Sequence, residues 1–268
     1  MGKFDGVLLA SDFDDTLAVN SGQVVPENVE AIRAFTGQGG RFAVATGRAW
    51  RTFGPHAHKV PFNTHVILSN GAALYDPEAG RTVLELPLPL SAAGDLLALS
   101  EAFLAVGVEC YHGDDLYIHR PNPYTDAHMR KVKVPWTARP LAQMPTPWIK
   151  AVVQADHGTL LEAQKWLLER YGDRYEAIFS NDVLLEVTAK GATKGGMVLR
   201  LAELLGISRE HIYCAGDNQN DIPMLAAAAI GFAPGDCDRT VKDWGARLVR
   251  PSVQGSIAHI VEILDGMY

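Results

Sequence analysis

The sequence predicts an α/β protein, a doubly wound, mostly parallel, Rossmann-like sheet core with an inserted α/β (α+β) cap domain. Three observations predict it. Short continuous apolar runs, Val7-Leu8-Leu9-Ala10, Phe42-Ala43-Val44-Ala45 and Ile212-Tyr213-Cys214-Ala215, have the pattern of strands buried on both faces. Stretches of helical spacing follow them, so strands and helices alternate. That alternation breaks off at about residue 83 and resumes after about 187.

Taken in order, Val7 to Ala10 forms the first strand and runs straight into an acidic turn. Pro26 and Glu27 open a helix with Val29, Ile32 and Phe35 on one side, ended by glycines at 37, 39 and 40. Phe42 to Ala45 and Val66-Ile67-Leu68 read as the second and third strands of the parallel sheet. Val83-Leu84-Glu85-Leu86 then opens the insert. A helix over Leu96, Leu97, Phe103 and Leu104 follows, and then strands at Val108 to Tyr111 and Leu116 to His119, with more polar alternation. From Pro121 to Trp148 six prolines remove backbone donors and fix φ, which predicts irregular loop. Ile149 to Val153, Leu160 to Leu168 and Val183 to Val187 read as strand, helix and strand. Met197, Val198, Leu201, Leu204 and Leu205 form a helical stripe stopped by Gly206. The strand Ile212 to Ala215, a helix over Pro223 to Ala229 and the strand Ile230-Gly231-Phe232 complete the pattern. The expected organisation is a discontinuous core, 1–82 with 188–268, and an inserted substrate-specificity cap, 83–187.

Composition narrows the function classes. The 268 residues suit about two domains, and 47% hydrophobic with 21% charged residues is ordinary for a globular chain. A net charge of −7 is a poor footprint for nucleic acid or an anionic membrane. No run approaches the ~20 apolar residues of a membrane span. The segment Met1-Gly2-Lys3-Phe4-Asp5-Gly6 has neither the long apolar stretch of a signal peptide nor the Ser or Thr of a myristoylation site. Cys110, Cys214 and Cys237 are odd in number and unpaired in spacing, so neither a disulfide framework nor a zinc site is expected, and a cytoplasmic setting is.

Four clusters stand where an α/β fold places its ligands, at strand and helix edges. Ser11-Asp12-Phe13-Asp14-Asp15-Thr16-Leu17 follows the first strand. By itself D-x-D describes a solvated acidic turn or a helix cap. Anchored at a sheet edge, three acids in four residues repel one another unless a cation compensates them, and hard carboxylate oxygens suit Mg²⁺. Thr46-Gly47-Arg48 offers a hydroxyl and backbone amides to a phosphoryl oxygen, or else an ordinary N-cap. Lys194, in Gly191-Ala192-Thr193-Lys194-Gly195-Gly196, opens a helix, where an ammonium opposes the dipole and implies a nearby anion. Gly216-Asp217-Asn218-Gln219-Asn220-Asp221 adds two acids and an amide, or an Asx-rich turn. His56 and His58 read as a polar loop, Cys214 as a small core residue, and Trp136 and Trp148 as packing.

The D-x-D-x-T, T-G-R, lone Lys and G-D-x-x-N-D segments, in this order, resemble the haloacid dehalogenase superfamily of phosphotransferases. The large insert between the second and third of them resembles the subgroup with an α/β cap, the Cof-like type IIB sugar-phosphate phosphatases. Ser69-Asn70-Gly71-Ala72 is similar to that subgroup's N-G-A segment before the cap, and Gln254-Gly255 to its usual D-G. The resemblance spans about Leu8 to Ile263 and is weakest across the cap.

It implies a Mg²⁺-dependent phosphoric monoester hydrolase acting on small phosphorylated metabolites, sugar phosphates first, through an aspartyl-phosphate. Asp12 would be the nucleophile and Asp14 the general acid and base. Thr46, with Gly47 and Arg48, would hold the phosphoryl oxygens, and Lys194 would neutralise them. Mg²⁺ would sit on Asp12, the backbone carbonyl of Asp14, and Asp217, with Asp221 and Asn220 supporting the metal shell or phosphate. The family often has Gly where this chain has Asp15, a residue that tolerates unusual backbone angles. The cap would exclude water and select substrate, with Tyr111, His112, His119, Arg120, Tyr124, His128 and Arg130 as candidates, though any single one reads more readily as ordinary polar loop surface. The expected partner is a small phosphorylated substrate, with the chain a monomer or small homo-oligomer. Two other readings compete: a phosphomutase of the same fold, and a ligand-binding regulator with a decayed site. A phospho-receiver domain needs only ~120 residues and no cap.

Overall fold

In the computed structural model, which describes residues 2–20 and 22–268, the chain divides into two compact units. One comprises the residues through Leu84 together with Thr193–Tyr268, the other Glu85–Ala192.

The first unit begins with β1 (Leu8–Ser11), a small hairpin of β2 (Ala18–Val19) and β3 (Gln23–Val24), and α1 (Pro26–Gly37). Pro26 at the first helical turn is preorganised for the helix and gives up only a donor the helix cannot use. Next come β4 (Arg41–Val44), α2 (Trp50–Ala57), β5 (Val66–Leu68), β6 (Ala73–Asp76) and β7 (Arg81–Glu85). The strand β5 corrects the sequence reading. It pairs antiparallel with β6 in a three-stranded sheet with β7, and adjoins the β4 edge of the parallel sheet through an isolated parallel bridge, Ala45–Ile67, and the Thr46 N–H to Ile67 carbonyl hydrogen bond. The strand expected to open the insert is likewise β7, the last strand of this same small sheet.

The second unit holds α3 (Ala92–Ala102), β8 (Gly107–His112), β9 (Asp115–His119), α4 (Pro123–Val132), β10 (Thr137–Ala138), β11 (Lys150–Gln154), α5 (His157–Tyr171), β12 (Tyr175–Asn181) and β13 (Leu184–Ala189). Its sheet runs β10-β9-β8-β11-β13-β12, antiparallel except at β10. One face buries Val108, Cys110, Val153 and Leu185 against Leu96 and Leu99 of α3 and Leu160 and Leu167 of α5. On the other, Leu116 and Ile118 meet Met129 of α4. The helix α4 lies where prolines predicted loop. Pro123 occupies its first turn, and Asn122 caps it by accepting from the backbone of Tyr124 and Thr125 in a reciprocal capping box.

The chain returns to the first unit with α6 (Lys194–Leu205), β14 (Ile212–Ala215), α7 (Ile222–Ala227), β15 (Ile230–Pro234), α8 (Arg239–Trp244), β16 (Arg247–Val249) and α9 (Ser256–Asp265). Its main sheet is parallel throughout, in the order β16-β15-β14-β1-β4. Both alternations of β1 are buried, Leu8 and Ala10 as well as Leu9, so the sheet is covered on both sides. The helix α1 packs on α9, while α7 packs on α6 and against β14 and β15. Among the described residues no helix is long and apolar enough to cross a membrane.

This topology fixes the site. The chain leaves β1 for β4 on one side and returns to β14 on the other, so β1 stands at the point where strand order reverses. Ser11 is in register with both Val44 and Ala215. The turns after these three strands therefore emerge together at one sheet edge.

Candidate active site

Asp12 follows β1 directly and is pinned by its own amide, which donates to the Ala215 carbonyl at 2.8 Å. The residue is 5% exposed. Lys194, at the start of α6 and 1% exposed, donates from Nζ to Asp12 Oδ1 at 2.5 Å and Asp221 Oδ1 at 2.6 Å. The anions that its place at a helix N-terminus implied are thus two carboxylates of the chain itself. Thr193 caps α6 by accepting from Gly196 N at 2.9 Å, which fixes where Lys194 starts.

The turn after β14 supplies the remaining acids. Asp221 Oδ2 accepts from the amides of Asp217 and Asn218, each at 3.0 Å. Gly216 allows this tight turn, because a Cβ there would lie 2.3 Å from Asp221 Cβ. Asp217 Oδ1 accepts from Thr16 Oγ1 at 2.7 Å, tying the two acidic loops together across 201 residues of sequence. Asp12, Asp217 and Asp221 each bring a carboxylate oxygen within 4.8 Å of the others.

Three carboxylates face one ammonium here, and the electrostatics record the imbalance. Burial, reinforced by Asp221, Asp217 and Asp14, holds the Asp12 carboxyl well above the ordinary range against the pull of Lys194. Burial, with Asp221, pushes Asp217 up to about 7. Burial alone would lower Lys194, but Asp12 and Asp221 hold it above its ordinary value. The donor set of buried hard oxygens with excess negative charge fits a divalent cation such as Mg²⁺.

Thr46, fully buried after β4, offers its hydroxyl beside the same edge, and its oxygen accepts from Arg48 N at 3.1 Å. Asp14 is not in the three-acid cluster. Its carboxylate is gripped by the Arg48 guanidinium, Nε to Oδ2 at 2.8 Å and Nη2 to Oδ1 at 2.6 Å. Arg48 is thus engaged with an acid of the chain itself. Asp15 has φ 57°, a left-handed conformation, at the position where the resembling family has glycine. Asn220 donates Nδ2 to Asn70 Oδ1 at 3.0 Å. Sequence reasoning gave no role to Thr16 or Asn70, although both lie inside segments it singled out.

Of the other candidates, Tyr111 donates to the buried Glu109, His128 Nδ1 lies 3.0 Å from a Glu109 oxygen, His112 hydrogen-bonds the Pro147 carbonyl, and Arg120 donates to the Ser100 carbonyl. His119 lies 3.4 Å from Ser100 Oγ, and Tyr124 and Arg130 are exposed. His56 packs against the Phe13 ring, and burial lowers its pKa. Cys214 and Trp148 are core residues as expected; Trp136, expected to pack, is 37% exposed.

The comparisons give the class of protein to which this strand-edge acid cluster with its central lysine belongs. Residues 9–261 match the haloacid dehalogenase-like hydrolase family, and the chain belongs to it. Among its relatives is the pyridoxal phosphate phosphatase YbhA of Escherichia coli (strain K12), 26% identical over 267 residues, 95% of this chain and 97% of the relative. Another is the 5-amino-6-(5-phospho-D-ribitylamino)uracil phosphatase YitU of Bacillus subtilis (strain 168), 22% identical over 95% of this chain and 96% of the relative. The solved structure of the HAD subclass IIB sugar phosphatase BT4131 superposes with a TM-score of 0.82 at 21% identity, covering 97% of this chain and 99% of that one. That likeness establishes the fold.

Proposed function

We propose that the chain is a cytoplasmic, Mg²⁺-dependent phosphatase that hydrolyses small phosphorylated metabolites, sugar phosphates first among them, through an aspartyl-phosphate on Asp12. By family, and by the activity its full-length relatives are named for, it is a phosphoric monoester hydrolase. The observation that supports the finer reading best is the buried cluster of Asp12, Asp217 and Asp221 around Lys194.

In this mechanism an Asp12 oxygen attacks phosphorus and the ester P–O bond breaks. Asp14 gives its proton to the departing alcohol oxygen. It then takes a proton from a water that attacks the same phosphorus, releasing inorganic phosphate and restoring Asp12. Lys194, the Thr46 hydroxyl and the Gly47 amide balance the charge on the phosphoryl oxygens. Arg48 orients Asp14 through its two hydrogen bonds. Asp12, the Asp14 carbonyl and Asp217, with Asp221, would hold Mg²⁺, which would supply positive charge to offset the repulsion between a carboxylate and a phosphate dianion.

The core is assigned to 1–82 and 188–268, and 83–187 to the cap that selects substrate. Unpaired Cys110, Cys214 and Cys237 suit a reducing compartment. The net charge of −7 suits a small metabolite rather than nucleic acid, bound by a monomer or small homo-oligomer.

The test is a phosphate-release screen with Mg²⁺ across sugar phosphates, pyridoxal phosphate and phosphorylated ribityl compounds, repeated in EDTA. Release from a subset, silenced by EDTA and restored by Mg²⁺, is expected. Silence on the whole panel overturns the proposal, and transfer of phosphate within a hexose without release replaces it with a mutase.

A further inference from the structure

We propose that Asn70 is a phosphoryl-binding residue whose side-chain amide joins the Thr46-Gly47 turn to Asn220, an assignment that rests on the phosphatase reading above. Ser69-Asn70-Gly71 was legible as a motif, yet nothing in the mechanism uses it.

Asn70 is 7% exposed. Its Oδ1 accepts from Asn220 Nδ2 at 3.0 Å, but its own Nδ2 is buried with no hydrogen-bond partner among the described residues. The large majority of buried side-chain polar atoms in folded proteins have a partner, so an orphan donor beside a functional site is a candidate for a ligand's acceptor. The backbone at Asn70 is left-handed, with φ 56° and ψ 31°, an uncommon conformation held by a hydrogen bond from its N–H to the Thr46 carbonyl at 3.1 Å.

The surroundings identify the acceptor. A Cβ built on Gly47 would stand 3.2 Å from both Oδ1 and Nδ2 of Asn70, so the end of the amide abuts the turn that presents the Thr46 hydroxyl. Gly71, at φ +95°, packs so closely that a Cβ there would meet the Thr193 carbonyl oxygen at 2.0 Å, one residue from Lys194. The amide thus sits among three segments already given to the phosphoryl group. An unsatisfied donor in that company is met by a phosphoryl oxygen, which is anionic and has lone pairs to spare.

A purely structural role, in which Oδ1 only holds Asn220, gives a different outcome for one substitution. Asn70→Asp keeps the shape, the tolerance of positive φ and the acceptor for Asn220. It removes the donor and sets a negative charge against a dianion. Asn70→Gly accepts the left-handed backbone without strain and removes the amide altogether.

The experiment measures kcat and KM for para-nitrophenyl phosphate, and inhibition by inorganic phosphate, in saturating Mg²⁺, for wild type and both variants, with thermal melts alongside. Both variants are expected to lose about 10²–10³-fold in kcat/KM and to bind inorganic phosphate more weakly, while melting within a few degrees of wild type. Loss in Asn70→Gly alone assigns Asn70 to holding Asn220 and overturns the proposal. Loss in Asn70→Asp alone reduces it to charge repulsion, and wild-type behaviour in both removes it; either result also overturns it. An active wild type accompanies each of those failures. A wild type that releases no phosphate from any ester instead brings down the phosphatase reading, and this assignment with it.

Discussion

Each of the two units carries a polar cluster, and the two differ in charge balance. In the second unit both carboxylate oxygens of Glu109 and of Glu186 have hydrogen-bond partners. Glu109, fully buried, accepts from Tyr111 OH and from Gln154 Nε2 at 2.7 Å, and His128 Nδ1 lies 3.0 Å from one of its oxygens. Glu186 accepts from Lys150 at 2.9 Å and Ser180 at 3.2 Å. In the first unit Asp12, Asp217 and Asp221 share one lysine. Carboxylates paired with donors rigidify the structure around them, whereas an excess of buried negative charge costs stability and persists where a cation or substrate makes use of it.

Exchanging an acid for its amide should therefore act in opposite directions at the two places. Asp12→Asn should cut kcat by on the order of 10⁴–10⁶-fold, because an amide cannot serve as the nucleophile. Its metal-free melting temperature should hold or rise, since one charge leaves a crowded site. Retained turnover would end the covalent mechanism. Asp14→Asn should leave Asp12 able to take the phosphoryl group but slow its hydrolysis by about 10²–10⁴-fold. Intact-mass spectrometry should then show one added phosphate, absent when Asp12→Asn is combined with it. Glu109→Gln should do the reverse of Asp12→Asn. It turns donors toward donors in a buried site, which costs about 1–3 kcal/mol in chemical denaturation.

The pH dependence of the metal-free protein sharpens the contrast. Asp217 is raised from 3.8 to about 7 by burial and by Asp221. The folded state thus keeps a proton that the unfolded chain loses first. Stability from this group is present at low pH and drains away as pH rises from about 4 through about 7. Melts in EDTA should show that decline, Asp217→Asn should flatten it, and Mg²⁺ at 100 times its Kd should restore about 2.7 kcal/mol. Smallest of all, Cys214→Ala should cost about 1 kcal/mol and leave turnover unchanged, as suits a core thiol whose pKa burial pushes up.

The same contrast explains what the sequence disclosed. Strands of the doubly covered sheet are unbroken apolar runs, so β1, β4 and β14 were plain. The strand β12 alternates buried and half-exposed residues and went unseen, and proline density hid α4, whose Pro123 in fact starts a helix. Val66–Leu68 looked like a core strand because it is buried in the same core as β1 and β4, though its strand pairing belongs to a different sheet. In the site, acids spaced along short motifs were readable because their chemistry is local. The pairing of Arg48 with Asp14, and of Asn220 with Asn70 at a separation of 150, depends on tertiary placement that no local pattern encodes.

The contacts that join Thr16 to Asp217 and Lys194 to Asp12 close loops of 201 and 182 residues. Such long-range closures form late, because the chain must lose its freedom before they reward it. During refolding, catalytic competence should lag behind helix formation and arrive in step with completion of the parallel sheet. A nascent polypeptide that has not yet delivered its final third would be chemically silent.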